Sequence, residues 1–206
     1  MNVKQVKRQK MLVAAKHLFT ENGFERTSMQ KVADEAGVGV ATLFRYFPKK
    51  EQLIIELVIE VIEGMLPHFE DINESNRNGY EKMEAILDSY IDYIFTANRQ
   101  AVTLLENFEY YVTYNPIEEE LINTIRSTYI RIGRCVNEAI NQGIEDGSIS
   151  LSGEEKITAL TIMNLFGIAI KKHAFTSFLP VEIVPVPKKQ ELVEVKKIIL
   201  NYFKKN

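Results

Sequence analysis

The chain of 206 residues is poor in cysteine, glycine and proline, with one, ten and six respectively. Cys135 has no second thiol to pair with, so an internal disulfide framework is excluded and a reducing compartment is expected. The scarcity of Gly and Pro disfavours a many-stranded, turn-rich β fold. No stretch approaches the roughly 18 uncharged apolar residues of a membrane helix. The charged start, Asn2 to Lys10, is followed by no apolar core of signal-peptide length, so a cytoplasmic location is expected. Asn73-Glu74-Ser75 is then a chance glycosylation sequon. His17, His68 and His173 stand far apart, without metal-ligand spacing. A Gly-rich phosphate loop, a Gly-x-Ser-x-Gly elbow and a His-Glu-x-x-His helix are all missing. No metal, cofactor or enzyme activity is therefore expected.

What is present is ordinary globular material, 46% apolar and 26% charged, enough for a real core in one or two domains. Its charge is uneven. Residues 1–50 hold ten Lys/Arg against four Asp/Glu, a net +6, whereas the remaining 156 hold 15 against 24, a net −9. A basic quarter joined to an acidic remainder suggests that the first part meets a polyanion. Solvated N-terminal arms are also common, so the pattern inside the basic part decides.

That pattern is helical. Met11, Ala14, Ala15, Leu18 and Phe19 fall on one face of a helix over Val6–Thr20 that ends at Asn22-Gly23. Thr27 and Gln30 have capping-box spacing and open a short helix with Met29, Val32, Ala33 and Ala36 inward. Gly37-Val38-Gly39 interrupts it, and a second short helix runs from about Val40 to Tyr46, before Pro48. A long helix is expected over 50–66, a loop over 71–79, and further helices at roughly 80–97, 100–113, 116–145, 154–175 and 190–204. Pro116 is expected in a first turn, Ser152 to Glu155 reads as a capping box, and prolines make 180–189 an extended connection. The expected fold class is all-α, with about nine helices and no strand.

Two short helices around a glycine-hinged turn have the form of a helix–turn–helix, whose second helix enters the DNA major groove. Ala33 permits close crossing, Gly37 supplies the positive φ, and Val38, Leu43 and Phe47 read as core. Lys31, Arg45, Lys49 and Lys50 surround it. The run from Ala14 to Glu51 resembles the N-terminal domain of TetR-family transcriptional regulators, continuously over about residues 6–55. The features that carry the likeness are Gly23-Phe24, Thr27-Ser28, Val32-Ala33 with Ala36-Gly37-Val38, and Phe47-Pro48-Lys49-Lys50-Glu51.

The resemblance implies a DNA-binding domain at 1–48 and an effector-binding and dimerisation domain at 49–206. It implies that Thr27 and Ser28 offer backbone N–H groups to a phosphate, that Val40, Ala41, Thr42, Phe44, Arg45 and Tyr46 face DNA, and that Lys50 holds a phosphate. Departures from the family pattern are Val40 for a basic residue, Ala41 for Gly, Phe44 for Tyr, and Lys49 for a small capping residue. They bear on the operator sequence. Arg45 is the best-suited base reader, because a guanidinium grips guanine O6 and N7 together; contact with phosphate is the competing role.

A single head covers one half-site, so a homodimer is expected. Helix 154–175 is apolar nearly all round, which implies burial on more than one side. Ile157, Leu160, Leu165 and Ile168, with Leu192, Val195, Ile199 and Tyr202 of the last helix, make the expected dimer surface. Aromatic residues gather in helices 80–97 and 100–113. Tyr90, Tyr93, Phe108 and Tyr111, roofed by Met163, Phe166 and His173, are the expected effector pocket. An organic cation beside Glu106 or Glu109, and an apolar acid or acyl group beside Arg126, Arg131 or Arg134, both fit. The function implied is a repressor that binds a palindromic double-stranded DNA operator and is released by a small-molecule effector. An activator with the same fold, or a helical ligand-binding or ligand-converting protein with an idle head, is the alternative.

Overall fold

The structure is a computed structural model that describes residues 2–96, 99–151, 155–176 and 189–203. Every regular element among them is an α-helix: α1 Val3–Arg26, α2 Met29–Glu35, α3 Val40–Tyr46, α4 Lys50–Glu63, α5 Leu66–Glu74, α6 Gly79–Thr96, α7 Arg99–Tyr114, α8 Glu119–Glu145, α9 Glu155–Thr176 and α10 Lys189–Tyr202. None is long and apolar enough to cross a membrane. The capping box at 152–154 and the proline-rich connection at 180–188 lie outside the described residues.

Three expectations need correction. The loop read at 71–79 is partly helix, because Pro67 does not merely end α4: it sits in the first turn of α5, where its missing N–H costs nothing. Pro116 precedes α8, whose first turn is closed by Leu121 and Ile122 donating to the Glu118 carbonyl. Ser28, not Thr27, caps α2; its hydroxyl accepts from the Lys31 N–H.

The chain divides into two compact units. Unit 1 holds residues 1–62 and 100–127. Its core is Met11, Ala15 and Phe19 of α1, Val32 and Ala33 of α2, Leu43 of α3, and the buried face of α4 from Leu53 to Ile62. Gly23 breaks α1 with φ 75°, a conformation that an L side chain resists, and so turns Phe24 inward onto Phe19 at 4.9 Å between ring centroids. Arg8 and Lys16 of α1 reach α4 through ion pairs with Glu56 and Glu60. These compact units do not follow the motif boundary at residue 48: α4, α7 and the start of α8 pack with the head.

Unit 2 holds residues 63–99 and 128–206. Met83, Ile86 and Leu87 of α6, Val136 and Ala139 of α8, and Leu192, Leu200 and Phe203 at the C-terminal end form its core. A polar fastener joins the start of α6 to the end of α8. Buried Lys82 donates to the Asn73 carbonyl at 2.5 Å and to Gln142 Oε1 at 2.6 Å. The Gly79 N–H donates to Asp146 and the Tyr80 N–H to the Ser148 hydroxyl. Gly79 is required there, since a Cβ on it would lie 2.0 Å from the Gly143 nitrogen.

Candidate nucleic-acid interface

The helix–turn–helix is built by α2, the turn at Gly37 to Gly39, and α3. Ala36 and Val38 donate to the Val32 and Ala33 carbonyls, which close the end of α2, and Gly37 takes φ 65°. Gly39 then starts α3 in an extended conformation and accepts from Thr42 and Leu43. Val32, Ala33 and Leu43 are fully buried, so one face of α3 is locked onto α2. Val38, expected in the core, is only half-buried.

The opposite face of α3 is open. Ala41, Phe44 and Arg45 are exposed, and Val40, Thr42 and Tyr46 are half-buried. Phe44, a large apolar ring, leaves 44% of its surface in solvent. Arg45 Nη2 donates to Thr42 Oγ1 at 3.1 Å, which steadies the guanidinium along the helix. Of the nine residues expected to meet DNA, three thus stand exposed on α3 and three more are half-buried beside them.

The other three divide. Ser28 is exposed at the start of α2. Thr27 is buried, its hydroxyl donates to the carbonyls of Leu18 and Gly23, and its N–H bonds the Phe24 carbonyl, so it holds α1 and is withdrawn from the DNA-facing set. Lys50 is half-buried; desolvation holds its amine below the ordinary lysine range, while Glu25 and Glu51 pull the other way.

Lys50 stands beside a junction that sequence reasoning missed. Tyr111 of α7 donates its hydroxyl to Glu51 Oε1 at 2.7 Å, and its ring meets Phe24 edge-on at 5.7 Å. Burial, then this bond, push the phenol pKa upward. Asn115 donates to Glu25 at 2.7 Å, and Lys49 pairs with Glu118. These pairs are separated by 60 or more positions and leave no local signature.

The expected effector residues are correspondingly distributed. Phe108 and Tyr111 are buried in unit 1, and the hydroxyl of Tyr111 is already engaged. Tyr90 belongs to unit 2, with Phe69 at 4.8 Å and Phe166 at 5.9 Å. Tyr93 is half-buried. The side chains of Met163 and His173 lie outside the described residues.

Of the expected dimer residues, Ile157, Leu160, Leu165 and Ile168 on α9 are each more than half exposed, as is Tyr202. Leu192 and Ile199 are buried in their own unit and Val195 is half-buried, so α10 offers Ile198, 70% exposed, in their place. Lys196 orients α10 by pairing with Asp88 at 2.9 Å and Glu84 at 3.3 Å on α6.

The described residues are helical throughout their regular elements and carry a helix–turn–helix with exposed residues on its second helix. Residues 11–57 match the family model for bacterial regulatory proteins of the tetR family. HTH-type transcriptional regulators of several Staphylococcus aureus strains are 33% identical over 86 residues, 42% of this chain and 46% of theirs. The matched segment therefore spans under half the length of those relatives. The fold extends over nearly the whole chain. FadR from Bacillus subtilis, solved in complex with stearoyl-CoA, superposes with TM-score 0.72 at 16% identity, covering 96% of this chain and 100% of that one. GusR of Salmonella enterica gives 0.75 at 18%, covering 98% of each, and PfmR of Thermus thermophilus gives 0.70 at 17%, covering 95% and 99%.

Proposed function

We propose that this chain is a cytoplasmic transcriptional repressor that binds a palindromic DNA operator as a homodimer and releases it when a small-molecule effector occupies its C-terminal domain. One observation carries the reading: α3 is locked to α2 by buried Leu43 and presents Ala41, Phe44 and Arg45 to solvent, with Val40, Thr42 and Tyr46 half-buried beside them, in a chain segment of net positive charge. Backbone N–H groups near Ser28 and the Lys50 ammonium position the head on phosphates. Arg45 reads a base edge, and Phe44 packs on a sugar or thymine methyl.

The exposed apolar residues of α9, with Ile198 and Tyr202 of α10, support pairing with a second copy of the chain. Two heads then reach half-sites about 34–36 Å apart. The effector is an apolar acid or acyl compound seated near Tyr90 and Phe166; the apolar aromatic surroundings of Tyr90, and a fold shared with acyl-CoA-bound regulators, favour this class over an organic cation. The effector acts by binding better to a conformer whose heads are wrongly spaced, and it shifts the population only by that difference in affinity. α4 is the proposed lever, since it begins beside the recognition helix and is tied to α1 by Arg8 and Lys16. Catalysis has no part in this function.

The test is selection of DNA fragments by the purified full-length chain, followed by titration of the enriched duplex with and without acyl compounds. A palindromic consensus bound by two chains per duplex, and lost on adding an acyl compound, is the expected result. Binding that shows no sequence preference would overturn the regulatory role, and binding indifferent to every acyl compound would overturn the effector class.

A further inference from the structure

An open cleft of about 490 Å³ lies between the first two turns of α1 and the recognition helix, lined by Lys4, Lys7, Arg8, Thr42, Arg45 and Tyr46. Four of the six lining residues are cations and none is an acid. Lys4, Lys7 and Arg8 stand at i, i+3 and i+4, so they share one face of α1.

The two sides of the cleft differ in what they leave available. Arg8 is engaged: both of its terminal nitrogens meet the Glu56 carboxylate, and its guanidinium lies 5.1 Å from the Phe47 ring centroid. It is a wall. Lys4 and Lys7 have no carboxylate partner among the described residues. Their backbone is nonetheless ordered from its first turn, because Asn2 accepts from the Lys4 N–H and Gln5 closes the capping box. Facing them are the Arg45 guanidinium and the Thr42 and Tyr46 hydroxyls.

A concave surface that holds uncompensated ammonium groups beside hydroxyls suits an anion with several oxygens. Lysine acts on such a group as a point charge, without the planar fork that reads a base edge. We propose that this cleft seats the sugar–phosphate backbone of duplex DNA beside the bases that α3 meets, with Lys4 and Lys7 as a second phosphate-binding arm. The arm adds affinity without sequence selectivity, and it extends the interface beyond the helix–turn–helix itself. This inference rests on the DNA-binding reading of α3 and names residues outside the set assigned to it.

The experiment measures Kd of the full-length chain for its selected operator and for a scrambled duplex across a series of salt concentrations. In the Lys4→Ala/Lys7→Ala variant the slope of log K against log salt should fall by about two units per bound chain, at roughly 0.9 for each phosphate contact. Affinity for operator and scrambled duplex should fall by the same factor. Helix content should persist, since alanine is the strongest helix former, and circular dichroism checks it. Lys197→Ala, on exposed α10, should leave the slope unchanged. A double variant with the wild-type slope, or one that loses affinity for the operator alone, overturns the arm while leaving the α3 reading in place. A wild-type chain that prefers no duplex overturns both.

Discussion

Of the helix faces that leave large apolar side chains in solvent, those of α3 and α9 are told apart by their neighbours. On α3, Phe44 stands beside Arg45, with Lys4 and Lys7 across a cleft. On α9, Ile157, Leu160, Leu165 and Ile168 form a stripe at helical spacing whose other exposed members among the described side chains are Thr161 and Asn164, both uncharged. Ile162 and Phe166 of α9 are buried, so that helix is apolar on two sides. An apolar ring among cations suits a polyanion with flat, greasy bases; an uncharged stripe suits another protein surface.

The comparison breaks most visibly on α9. Leu160→Asp with Ile168→Asp should dissolve the proposed homodimer, because burying each such side chain contributes about 1.5–3 kcal/mol. The dimer dissociation constant should rise by roughly a hundredfold or more, and sedimentation equilibrium reads it. A double variant with unchanged mass in solution would remove α9 from the interface. Charge removed from α3 tests the other face: Arg45→Ala should cut discrimination between operator and single-base variants by about 1–3 kcal/mol if Arg45 reads a guanine. Equal loss on every sequence would return Arg45 to the phosphates.

Within unit 2, Gly79→Ala forces a methyl into the Gly143 backbone and should cost about 1–3 kcal/mol of stability, measured by denaturant unfolding. DNA contacts made by unit 1 offer no compensation for it, so the midpoint should drop with or without operator. The smallest effect is expected from Tyr111→Phe, which removes one hydrogen bond to Glu51 and should cost about 0.5–1.5 kcal/mol. Rescue by Glu51→Gln, which no longer leaves a half-buried carboxylate without its donor, would sharpen the assignment of that bond.

The helix–turn–helix was legible because its signals are local. A glycine at positive φ, the helical spacing of Met29, Val32, Ala33 and Ala36, and the Pro48 boundary lie within a few residues of what they control. The α2 cap shows the limit of such reasoning. Thr27 and Ser28 are both good caps, and only the buried position of Thr27, set by its bonds to Leu18 and Gly23, decides between them. Amphipathic spacing puts Leu192 and Ile199, seven positions apart, on one face of α10, but it could not tell whether that face is buried in its own unit or offered to a second chain. Fasteners such as Lys82 with Gln142, or Tyr111 with Glu51, join residues about 60 positions apart and were invisible before the packing was known.

The head is assembled from two stretches of chain, 1–62 and 100–127, and the second runs straight into the rest of α8. A graft cut at residue 48, the obvious seam in the motif, would part Glu25 from Asn115 and Phe24 from Tyr111. Chimeras that exchange recognition modules between such proteins must therefore transplant the distant segment too, or rebuild those two contacts at the acceptor.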